Sequence, residues 1–169
     1  MKGMLKGVAA LALATMFAAS SAQAQAKFGV AGTGLFSLES GGGSSFGGMA
    51  LVGFQKADMP IGFRVDGTFL HKSGEWSELA TGDITYAFKT AESSMFHPYL
   101  LAGGGIVHVP SLTKPMAKAG VGFDYNMANS KLTLFGEATF NMFFYGTVDG
   151  FDVGTQKALQ ANVGVKFGG

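Results

Sequence analysis

The sequence predicts an all-β chain whose eight antiparallel strands run up and down and close into a barrel with a side-chain-filled lumen. Three observations predict it. Seven clusters of turn-forming residues recur at near-regular spacing, the segments between them alternate apolar and polar residues, and aromatic residues gather at the ends of those segments.

The clusters lie at 40–45, 57–60, 72–75, 90–94, 110–115, 126–130 and 146–155, each rich in Gly, Pro, Asn, Asp or Ser. Seven connections delimit eight strands. The first carries Gly32 and Gly34 between Phe28 and Phe36, and the second carries Gly47 and Gly48 between Phe46 and Phe54. In the third, Ile61, Phe63, Val65, Gly67 and Phe69 alternate with Gly62, Arg64, Asp66, Thr68 and Leu70. The fourth sets Gly82, Ile84, Tyr86 and Phe88 against Thr81, Asp83, Thr85 and Lys89. Glycines at 103–105 mark the middle of the fifth, and Gly120 and Gly122 that of the sixth. The seventh opposes Gly136, Ala138, Phe140, Met142 and Phe144 to Glu137, Thr139 and Asn141, and the eighth opposes Leu159, Ala161, Val163, Val165 and Phe167 to Gln160, Asn162 and Lys166. So many glycines in strand interiors predict strong curvature and a tight lumen.

Alternation fixes a difference between two faces but not which one is inside. A soluble sandwich or lipocalin-like barrel turns its apolar face inward, whereas a transmembrane β-barrel turns it toward lipid. The aromatics decide in favour of the second. Phe28, Phe54, Phe63, Tyr99, Phe123, Tyr125 and Phe167 fall near one set of strand ends, and Phe36, Phe46, Phe69, Trp76 and Phe144 near the other. Two such levels are the interfacial girdles of a membrane barrel.

The chain has 169 residues, 47% hydrophobic and 14% charged, with 27 Gly and no Cys. It is too apolar for disorder, and a net charge of +1 without a basic cluster argues against nucleic acid. Residues 1–26 read as a cleaved export leader: Lys2 and Lys6, an apolar run from Val8 to Ala19, and small residues permitting cleavage after Ala24 or Ala26. Residues 27–169 form the barrel domain.

Eight strands enclose an interior just wide enough for side chains, so charges pointing inward must pair. Folding the third and fourth strands about Gly74 sets Arg64 opposite Asp83, with Asp66 beside them. Folding the last two about residues 151 and 152 sets Glu137 opposite Lys166, and folding the sixth and seventh about 126–130 brings Lys118 to its other side. The expected lumen pairs are thus Arg64 with Asp83 and Asp66, and Glu137 clamped by Lys118 and Lys166. No constellation for catalysis, cofactor or metal emerges. His71-Lys72-Ser73 has a base-and-hydroxyl spacing but lies in a turn, and His97 and His108 stand at opposite ends of one strand.

The runs Pro98-Tyr99-Leu100-Leu101-Ala102-Gly103-Gly104-Gly105, Gly120-Val121-Gly122-Phe123-Asp124-Tyr125, Leu134-Phe135-Gly136-Glu137-Ala138 and Gly164-Val165-Lys166-Phe167 resemble the small eight-stranded outer-membrane β-barrel families, the OmpA-like transmembrane domain among them. The resemblance implies a monomer in the outer membrane of a diderm bacterium, surrounded by lipid, with its last strand offered to the barrel-insertion machinery. It implies a structural or surface-interaction role without an open pore, although Gly168 and Gly169 follow the terminal aromatic where members usually stop. Two alternatives stand beside it: a soluble periplasmic lipocalin-like carrier of a lipophile, and an outer-membrane lipid-modifying enzyme.

Overall fold

The computed structural model describes residues 24–56, 59–91, 93–128, 130–148 and 151–168. Most of the segment read from the sequence as an export leader, residues 1–23, lies outside them. Eight strands follow in chain order: β1 Ala24–Ser37, β2 Ser44–Lys56, β3 Ile61–Lys72, β4 Glu75–Ala87, β5 Phe96–Val109, β6 Leu112–Asn126, β7 Leu132–Val148 and β8 Phe151–Phe167. Each pairs antiparallel with the next, and β1 pairs with β8 from Phe28 opposite Phe167 to Ser37 opposite Ala158, which closes the barrel. Closure satisfies the backbone of every strand within the wall, the condition for crossing a bilayer with strands.

Tight turns follow from local chemistry. Ser73 and Gly74 join β3 to β4 with φ of 51° and 88°, the paired positive values of a two-residue hairpin turn. Pro110 and Ser111 join β5 to β6, where proline sets the first φ and Ser111 takes φ 67°. The chain termini and the turns after β2, β4 and β6 share one end of the barrel, called here the near end. The turns after β1, β3, β5 and β7 form the far end.

Register differs from the sequence expectation at two hairpins. The β7–β8 turn closes with Val148 opposite Phe151, so Glu137 faces Asn162, four residues short of Lys166. In β6–β7, Glu137 faces Gly122 and Lys118 faces Asn141, again a displacement of four. Both displacements are even, so every side chain keeps the face that alternation assigns while its cross-strand neighbour changes.

Several inward glycines sit where neighbouring strands crowd together. A Cβ on Gly47, Gly103, Gly105, Gly120 or Gly164 would lie 1.8–2.3 Å from a carbonyl oxygen of the adjacent strand. Small residues at these points permit the tight coiling of an eight-stranded wall.

Candidate functional site: a filled, ion-paired lumen

The apolar and polar faces take opposite sides of the wall. Phe63, Ile84 and Phe140 point outward with 62%, 55% and 37% of their surface exposed, whereas Arg64, Asp66, Asp83, Lys118, Glu137 and Lys166 are all at most 7% exposed. A soluble carrier needs the reverse, with the large apolar side chains converging around its axis.

The inward charges form one connected cluster. Arg64 places Nη2 2.9 Å from Asp83 Oδ2, its Nε lies 3.4 Å from Asp66 Oδ2, and its Nη1 donates across the lumen to Glu137 Oε1. Lys118 Nζ lies 2.8 Å from Asp66 Oδ2 and 3.0 Å from Asp83 Oδ2. Glu137 also accepts from the Tyr99 hydroxyl at 2.6 Å and from Asn162 Nδ2 at 3.2 Å. Lys166 Nζ bonds Asp124 Oδ1 at 2.6 Å, donates to the Tyr99 hydroxyl at 3.3 Å, and sits 4.5 Å from the centre of the Phe135 ring. Three cations therefore face four carboxylates inside the wall. In such low-dielectric surroundings each charge depends on its partners, and hydrogen bonds to ionised groups are the strong ones.

The clamp expected on Glu137 is corrected by this geometry. Its cationic partner is Arg64 from the opposite wall, while Lys118 serves the two aspartates and Lys166 serves Asp124. The four-residue register displacements carry both lysines away from Glu137, and the narrow lumen brings Arg64 to it instead. Tyr99 is likewise no part of the outer girdle. It is 6% exposed and folds over Gly122, its register partner, where an added Cβ would lie 2.4 Å from the ring. On β5 the inward positions are 97, 99 and 101, so Phe96 takes the outward place and stacks on Phe123 at 5.3 Å.

The remaining girdle residues point outward. At the near end Phe28 opposes Phe167 and Phe54 opposes Phe63, with Phe123 and Tyr125 exposed beside them. At the far end Phe36 meets Phe46 edge to face at 5.9 Å, and Phe69, Trp76 and Phe144 are exposed.

Apolar clusters complete the filling. Met49, Leu51 and Phe135 pack on one side of the charged layer, and Leu70, Leu79, Val107, Met116, Phe143 and Ala158 seal the lumen toward the far end. Among the described residues a recess opens at each mouth, and the two share no lining residue: about 380 Å³ beside Lys27, His97 and Asp124 at the near end, and about 570 Å³ above the apolar seal at the far end.

The histidines hold local structural posts. His97 Nδ1 lies 2.7 Å from Thr90 Oγ1, His108 Nδ1 lies 2.7 Å from Thr113 Oγ1, and the His71 ring rests against Trp76 at 4.8 Å. No hydrogen bond joins His71 to Ser73 among the described residues, and no group of three or more potential metal ligands occurs among them.

No protein-family model matches the sequence, and no curated protein matches it. Solved structures do match in fold. Neisserial surface protein A has a TM-score of 0.65 at 17% identity, over 86% of this chain and 97% of that one. The N-terminal β-barrel domain of Pseudomonas aeruginosa OprF gives 0.53 at 20% identity, over 86% of this chain and all of that one. Ail, the attachment invasion locus protein of Yersinia pestis, gives 0.50 at 13% identity over the same shares. This chain therefore has the closed eight-stranded fold of the small outer-membrane β-barrels, apolar toward its surroundings and ion-paired within.

Proposed function

We propose that the protein resides in the bacterial outer membrane as a closed barrel with a structural or surface-interaction role, not as a pore or an enzyme. One observation carries the reading: a continuous apolar exterior, bounded by aromatics at two levels, encloses a lumen whose charges are buried and paired. Such an exterior is costly in water and favourable against acyl chains. Among the described residues an apolar seal stands between the charged layer and the far mouth, which supports a role exerted at the membrane surface and not through transport. The structural neighbours are outer-membrane barrels, consistent with this placement.

Fractionation of cells expressing the full chain tests the proposal. The protein should stay with the outer membrane through salt and carbonate washes, leave it only with detergent, and migrate differently on a denaturing gel before and after boiling. Reconstituted into liposomes, it should not accelerate swelling in small sugars. Recovery in the soluble periplasmic fraction, or sugar-dependent swelling, would overturn it.

A further inference from the structure

The far mouth is a bowl with an uneven wall. Leu79, Val107, Phe143 and Ala158 of the apolar seal form its floor, and Leu35, Val109 and Tyr145 line its sides, with Phe143 and Tyr145 in ring contact at 6.3 Å. The β1–β2 loop closes one flank, because Leu38 N–H donates to the Lys157 carbonyl at 2.9 Å and the Lys157 N–H donates to Glu39 Oε1 at 3.2 Å. A volume of about 570 Å³ with an apolar floor and a few polar groups at the rim is that of a small-molecule site.

Four charged residues line the bowl, Glu39, Lys72, Glu75 and Lys157, and two of them stand side by side at the β3–β4 turn. Lys72 and Glu75 are direct register partners flanking the β3–β4 turn, and both line the bowl. Lys72 extends along Gly43, where a Cβ would lie 2.8 Å from its Nζ. Yet the two form no salt bridge with each other, and neither pairs with any other charged group among the described residues. An unneutralised ammonium and an unneutralised carboxylate, side by side above an apolar floor, match a ligand carrying both charges on an apolar body. From this juxtaposition we infer that the far mouth binds a small zwitterionic amphiphile, its apolar part against Leu79, Val107 and Val109, its anionic group on Lys72 and its cationic group on Glu75. The site lies beyond the seal and uses none of the lumen ion pairs.

Hexylphosphocholine, below its micelle concentration, is the probe. The full mature protein in phosphatidylglycerol nanodiscs is titrated while methyl signals are followed by NMR. Leu35, Leu79, Val107 and Val109 should shift saturably, whereas the outward methyls of Val30 and Val163 report only partition into lipid. Lys72→Glu, at an exposed turn, should retain the dispersed spectrum and weaken binding at least fivefold. Hexanesulfonate and hexyltrimethylammonium, each carrying one of the two charges, should likewise bind at least fivefold more weakly. Shifts confined to Val30 and Val163, unchanged affinity in Lys72→Glu, or equal binding of either singly charged probe would overturn the assignment.

Discussion

Arg64 on β3 and Glu137 on β7 meet across the full width of the barrel, four strands apart around the wall, and join its two halves through a charge-assisted hydrogen bond. Arg64 simultaneously holds Asp83 and Asp66, so its loss would leave these two buried aspartates to Lys118 alone and Glu137 without a salt bridge among the described residues. Arg64→Met should destabilise the folded barrel by about 3–5 kcal/mol. Adding Glu137→Gln should cost less than the sum of the two single changes, because the pair acts as a unit. Reversible urea unfolding in lipid vesicles, read by the shift between folded and boiled forms on a gel, measures both.

Tyr99 supplies a second test. Tyr99→Phe keeps the ring over Gly122 and removes the hydroxyl that donates to Glu137 and accepts from Lys166, which should cost roughly 1–3 kcal/mol. Gly122→Ala should be the more damaging change, since the added methyl meets the ring itself. The same unfolding assay ranks the two.

Ser111 carries a positive φ of 67° in a two-residue turn, a conformation in which a side chain is strained. Ser111→Gly should therefore raise stability by about 1 kcal/mol without altering the fold. An unchanged urea midpoint would show that the turn carries no such strain.

The β1 strand begins at Ala24, and Gln25 and Ala26 face Gln55 and Phe54 of β2. Cleavage after Ala26 would remove both from the ladder, whereas cleavage after Ala24 retains them. Intact mass measurement of the exported protein should accordingly place its first residue at Gln25. A mass starting at Lys27 would contradict this.

Alternation made the two faces legible wherever a strand mixes charged and apolar residues. Arg64 and Asp66 fix the inward parity of β3, Asp83 that of β4 and Glu137 that of β7. Asp124 was legible too, since it shares parity with Lys118 on β6, but its partner Lys166 lies two strands away. Tyr99 was not. The run from Leu100 to Val107 contains only apolar residues and glycine, so period two gives no phase on β5, and His97 and His108 at its ends have opposite parity. Register at the β7–β8 hairpin was ambiguous for a related reason: glycine and aspartate occupy several positions between 146 and 154, and any of them suits a turn. Contacts across the lumen, such as Arg64 with Glu137, depend on barrel closure and lie beyond any pattern of neighbouring strands.

Whether the outer wall faces lipid is decided at Val163. It lies opposite Gly136 and opposite Gly32, which is midway between the Phe28 and Phe36 levels of β1, and it is 74% exposed. If acyl chains surround it, Val163→Arg should cost about 2–4 kcal/mol in vesicle-refolded protein, the cost of a guanidinium near the bilayer midplane. A change within about 0.5 kcal/mol, the usual effect at a water-exposed surface, would contradict the account.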